Sequence, residues 1–144
     1  MKQYKVYIAG PMRGYPQWNF PAFDRARDVF KAAGFEVFSP ADNDRALGFN
    51  ENAMEQCAVF KSADPWVFLG WDLGKVNEAD VIYLLKGWEN SAGALLERHV
   101  AETLIGMGKK KRILTENGDI YLQVATLVVQ LKTEAKAHVR RNAA

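Results

Sequence analysis

The chain has 144 residues, 49% of them hydrophobic and 25% charged, which suits one globular domain with a real core and excludes a disordered polypeptide. Its formal charge of +2 is too small to argue for nucleic acid. A single cysteine, Cys57, rules out an intrachain disulfide and a thiolate metal cluster, and no apolar run is long enough to span a bilayer.

In chain order, Tyr4 to Ala9 reads as a first strand, ended sharply by Gly10-Pro-Met-Arg-Gly14. No signal-peptide pattern stands before it, so a cytoplasmic protein without membrane contact is the expectation. Asn19 is placed as an N-cap, with a helix from about Ala22 whose apolar face is Phe23, Ala26, Phe30 and Ala33. Phe35 to Ser39 is a second strand. A strand–helix–strand unit of this kind implies a right-handed crossover and parallel pairing. Ala41 to Asn50 is polar and reads as a loop. Glu51 to about Ser62 reads as a helix with Met54, Cys57, Ala58 and Lys61 on one side, broken by Asp64-Pro65. The aromatic run Trp66 to Trp71 suits a core or a subunit interface at least as well as base stacking. Asp72 to Glu78 reads as a short helix leading into a third strand, Asp80 to Leu85.

Gly87 to Glu97 then forms a strand-to-helix turn at the edge where open α/β sheets bind ligands. Ser91 can cap the following helix, which reaches about Gly106, and its first free amides would face an anion. Gly93, Glu97, Ala101 and Ile105 fall on one stripe of that helix, while Arg98 and Glu102 face solvent. Glu97 thus stands among small and apolar neighbours, either in the wall of a pocket or at its rim. Lys109 to Arg112 is a basic cluster that suggests a phosphate site but reads more readily as a solvated approach to a fourth strand, Arg112 to Thr115. Asn117-Gly118 is a turn. Ile120, Val124, Leu127, Val128 and Leu131 mark a C-terminal helix, and His138 to Ala144 reads as a basic, frayed tail. The whole pattern predicts a single-domain, doubly wound (Rossmann/flavodoxin-like) α/β fold. It has a mainly parallel sheet of four to five strands and helices on both faces, over residues 1–139, with 140–144 as the tail.

Nucleotide-hydrolysis loops, the serine elbow and the zinc-protease helix are all missing, and His99 and His138 lack a metal-ligand pattern. Neither a metal nor a cofactor is expected. What remains is a phosphate-friendly edge with carboxylates. Gly10 and Gly14 allow close backbone approach, and Arg13 offers a forked donor. Glu97 and Asp72 are candidates for glycosidic-bond cleavage, in which one carboxylate meets the anomeric carbon and a second group handles the leaving-group proton.

Three segments in order carry a resemblance: Tyr7-Ile-Ala-Gly-Pro-Met-Arg-Gly14, Asp72-Leu73 with Ala79-Asp80-Val81 behind it, and Ser91-Ala-Gly93-Ala-Leu-Leu-Glu97. Together they resemble the nucleoside 2-deoxyribosyltransferase superfamily. Within it they are most similar to the 2'-deoxynucleoside 5'-monophosphate N-glycosidases and an uncharacterised phage and prophage family. The resemblance implies Glu97 as nucleophile, Asp72 holding or protonating the base, and Tyr7 positioning the sugar or Glu97. It implies a substrate and phosphate cradle of Gly10, Met12, Arg13, Gly14, Ser91 and Gly93. Ser91 matches the monophosphate glycosidases, whereas the nucleoside transferases carry Asp there; Pro11 stands where those glycosidases carry Ser. The partners so implied are a small-molecule nucleotide or nucleoside and further copies of the chain, as a homodimer or larger, with no nucleic acid and no membrane. A non-catalytic nucleotide-binding or sensing module and a structural phage-type protein are the rival readings.

Overall fold

The computed structural model describes residues 2–53 and 64–144. Four strands, β1 (Lys5–Ala9), β2 (Glu36–Phe38), β3 (Val81–Leu84) and β4 (Arg112–Thr115), form one parallel sheet in the order β2-β1-β3-β4. Val6 pairs with Val81, and Tyr7 lies between Phe38 and Ile82. The two central strands are apolar on both faces, as a sheet covered on both sides requires. Val6, Ile8, Val81 and Tyr83 meet α1 (Phe20–Ala32) and α5 (Ile120–Ala143). Tyr7, Ala9, Ile82 and Leu84 meet α3 (Pro65–Glu78) and α4 (Ala92–Gly106). A further helix, α2 (Pro40–Ala46), follows β2 directly. This is the single-domain α/β Rossmann-like fold that the pattern predicts, at the lower strand number.

The order of the strands decides where a ligand can go. The chain crosses from β1 outward to β2, then returns to lay β3 on the other side of β1. The turns after β1 and β3 therefore part company at the carboxyl edge and leave a crevice between them. Gly10 makes the first turn compact. A β-carbon there would stand 2.8 Å from Leu85 Cβ, so the glycine is required by contact with the end of the third strand.

Several elements differ from the sequence reading. Ala41 to Asn50 is not all loop: α2 occupies its first half, with Pro40 at the first turn and Gly48 in the left-handed conformation behind it. A helix this short has no apolar stripe to declare it, and charges hold it down instead. Arg45 donates to Asp24 of α1 at 2.7 and 2.8 Å and to Glu51 at 2.7 Å, and its guanidinium lies 4.8 Å from the Phe20 ring centre. Trp66 to Trp71 and Asp72 to Glu78 are one helix, α3, whose cap is the Asp64 side chain accepting from Trp66 N at 3.0 Å. Asn19 sits at the N-cap position of α1, which starts at Phe20. Its side chain does not cap the helix but donates to Pro11 O at 2.8 Å. The basic tail is no frayed end, because α5 continues to Ala143. The helix expected from Glu51 to about Ser62 lies outside the described residues from 54 onward, and residues 51–53 form a turn.

Candidate active site

A cavity of about 550 Å³ fills the crevice between the β1 and β3 turns. That volume falls within the range of small-molecule sites, ~300–1,000 Å³. The β1 turn supplies Gly10, Pro11, Met12 and Arg13 to its lining; the start of α4 supplies Ser91 and Gly93; α3 supplies Asp72; and Glu97 closes the wall one helical turn below Gly93. Of the residues singled out from the sequence, only two stand off the lining. Gly14 is exposed in its turn with φ +84°, and Tyr7 lies wholly inside the sheet beneath the carboxyls.

Glu97 is the decisive side chain. It is only 6% exposed, in the wall of the cavity and not at its rim. Burial in this surrounding pushes its pKa well above the usual carboxylate range, the charge of Asp72 adds to the rise, and the Tyr7 hydroxyl opposes it. Asp72 is raised to about 6, again by burial first, with Tyr7 pulling the other way. The Tyr7 hydroxyl is itself enclosed. It makes no hydrogen bond of normal geometry among the described residues, and its contacts with Glu97 and Asp72 are looser than that. Burial and the two neighbouring acids raise its pKa, so it stays a protonated donor aimed at the carboxyls.

The β1 turn and the start of α4 form a cationic pole. Ser91 caps α4, its Oγ accepting from Ala94 N at 3.2 Å. Ala92 and Gly93 line the cavity at the start of a 15-residue helix, whose first amides have no intrahelical acceptor and form its positive end. Arg13 is exposed and is the sole cation of the cavity lining among the described residues.

The sequence reading missed one acid of this lining. Asp44 projects from α2 into the same cavity as Asp72, beside Phe49, Phe68 and Leu69. Burial, then the charge of Asp72, raises its pKa to about 7. The sequence signal was present in Pro40 and Gly48, which bracket a helix, but the polar composition between them reads as loop. Trp18, also in the lining, belongs to a left-handed stretch, with φ +50° at Gln17, +53° at Trp18 and +60° at Asn19. Such backbone is costly for residues other than glycine, and the Asn19 bond to Pro11 holds it in place.

Two other features resolve into structure. A larger groove of about 870 Å³ lies on the far side of the β3 turn, and two of its three acids are committed. Glu116 accepts from Arg25 at 2.6 Å and Lys86 N at 2.9 Å, and Asp119 caps α5. The basic cluster is at the amino edge of β4, away from the cavity. Lys111 donates to the carbonyls of Asn77 and Ala79, and Arg112 pairs with Glu134.

Residues 4–108 match a family described as a domain of unknown function (DUF4406). The chain belongs to this family. The matched span runs from β1 through α4 and includes every cavity residue named above, while β4 and α5 lie beyond it. A comparison with curated proteins finds no match. Among the described residues, no helix is long and apolar enough to cross a membrane.

Proposed function

We propose that the protein is an N-glycosidase cleaving the base–sugar bond of a (deoxy)nucleoside 5'-monophosphate, with Glu97 as nucleophile. The supporting observation is a carboxyl buried in the wall of a cavity whose cationic pole is Arg13 and the capped start of α4. The phosphate sits at that pole, held by Arg13 and the Ala92 and Gly93 amides. Glu97 attacks the anomeric carbon as the bond to the base breaks, and water then releases the sugar phosphate from Glu97. Asp72 holds the base, and Tyr7 donates to Glu97. A free base competing with water for the glycosyl-enzyme gives deoxyribosyl transfer in place of hydrolysis. The reading includes a cytoplasmic homodimer or larger assembly. Trp66 and Val67 of α3, 69% and 53% exposed, and Leu95 of α4, 44% exposed, are apolar surface such an assembly would cover.

Incubation with a panel of nucleoside and deoxynucleoside monophosphates, and the matching nucleosides, tests the reading by chromatography of released base. Release from monophosphates, lost in Glu97→Ala, is the expected result. One observation favours a non-catalytic nucleotide-binding module: burial favours the neutral form of Glu97, which is no nucleophile. Binding of monophosphates without base release would decide for that alternative.

A further inference from the structure

The glycosidase reading leaves open how the departing base acquires its proton, and the cavity holds one more acid than that reading uses. Asp44 and Asp72 line the same space from different helices, α2 and α3. Asp72 has the enclosed Tyr7 hydroxyl beneath it, at looser than hydrogen-bond geometry, to favour its ionised form. The Asp44 carboxyl has no hydrogen-bond partner among the described residues and shares the cavity with Phe49, Phe68 and Leu69. When two acids face each other in a place poor in water, one ionises and its charge holds the proton on the other. The Tyr7 contact decides which is which. Asp72 ionises first, and Asp44 keeps an O–H that no described residue accepts. The network of Arg45 with Asp24 and Glu51 fixes α2, and Asp44 with it, over the cavity.

Resting on the glycosidase reading of this cavity, we propose that Asp44 is the general acid that protonates the leaving base, and that the substrate base carries a basic ring nitrogen, as adenine, guanine and cytosine do. In the first step the C1'–N bond breaks with its electron pair going to the base. The Asp44 proton passes to a ring nitrogen, the base leaves neutral, and the Glu97 carboxylate bonds to C1'. In the second step a water oxygen bonds to C1', the bond from C1' to Glu97 breaks, and the water proton goes to the Asp44 carboxylate. Both residues end as they began. Thymine and uracil offer carbonyl oxygens at their free edge and no basic ring nitrogen, so an acid in this position gives them little help. The reactive arrangement has Glu97 ionised and Asp44 protonated, the reverse of the free protein, where the more deeply buried Glu97 holds its proton more firmly. Asp72 faces both, Tyr7 lies beneath Glu97 and Asp72, and Arg13 is the cation of the same lining among the described residues.

A leaving group that needs no proton separates this role from a structural one. Asp44→Asn is compared with the wild type on deoxyadenosine and deoxycytidine monophosphates, on thymidine monophosphate, and on 4-nitrophenyl 2-deoxyribofuranoside 5-phosphate. Wild type should release adenine or cytosine faster than thymine. In the first turnover, followed by rapid mixing before water cleaves the glycosyl-enzyme, Asp44→Asn should release base about a hundredfold or more slowly yet release nitrophenolate within about threefold of wild type. Equal losses on both substrate types, no loss on either, or thymine released as fast as adenine would overturn the proposal. If Asp44→Asn does not fold, judged by thermal melting, Asp44→Ser takes its place. Failure of the wild type on every substrate would instead overturn the glycosidase reading beneath it.

Discussion

Asp72 of α3 and Glu97 of α4 share one face of β1, where the charge of Asp72 raises the pKa of Glu97 and the Tyr7 hydroxyl, enclosed beneath both, lowers each. Two helices that pack on the same side of the sheet thus hold two acids over one phenol. Burying them costs folding energy, and that cost is the first thing to measure.

Glu97→Gln should stabilise the fold at alkaline pH. The pKa of Glu97 is higher in the folded chain than in the unfolded one, so folding retains a proton. Stability from this group is complete below the unfolded value and is lost as pH rises through the folded value. Glutamine cannot ionise and escapes the loss. Thermal melting at pH 8 should place Glu97→Gln about 3 °C or more above wild type, for roughly 1 kcal/mol, and the gap should close near pH 4. Asp72, raised to about 6, and Asp44, raised to about 7, add loss of the same sign between pH 4 and 8.

Tyr7→Phe should slow turnover with little change in KM. It removes the hydroxyl that favours the ionised Glu97. The contact is looser than a hydrogen bond in the free protein; tightened onto the ionised carboxyl during turnover, a bond of this kind is worth ~1.5–3 kcal/mol, or about 10- to 100-fold in kcat. With that hydroxyl gone the Glu97 pKa climbs further, so the acid limb of the pH–rate profile should move to higher pH. An unchanged limb would remove Tyr7 from the site's chemistry.

Arg13→Ala should raise KM for monophosphates by about 10- to 100-fold, the worth of a charge-assisted contact, and leave KM for nucleosides nearly unchanged. Steady-state kinetics on a matched nucleotide and nucleoside pair checks this. Equal effects on the two would place the phosphate elsewhere.

The sheet and the position of the cavity were legible because they rest on strong local signals. The β1 and β3 runs are apolar throughout, and the turn glycines and Ser91 stand where chain reversal and helix capping demand them. Glu97 was legible for a related reason: a carboxylate on a stripe of small residues needs either a cavity or water, and the fold supplies the cavity. Asp44 was not legible, because α2 is held by Arg45 reaching Asp24 on another helix, a long-range pairing that no window of sequence contains. The single helix over Pro65–Glu78 was obscured in the same way. Its aromatics do not share one face: Trp66 is exposed, Phe68 lines the cavity and Trp71 packs against the core.

Gly10→Ala tests whether the first turn must lie tight against β3. The added methyl would stand 2.8 Å from Leu85 Cβ, with buried backbone on both sides. Overpacking of this kind costs ~1–3 kcal/mol, so the melting temperature should fall by about 3 °C or more. A melting temperature equal to wild type would show that the turn has room.

The central claim is that Glu97 bonds to the sugar. Turnover on a cleaved monophosphate is stopped with acid within milliseconds, the protein is digested, and the peptide carrying Glu97 is weighed by mass spectrometry. The account predicts a deoxyribosyl or ribosyl phosphate adduct on Glu97 that is absent from Glu97→Gln. An adduct on another residue, or base release that persists in Glu97→Ala, would contradict it.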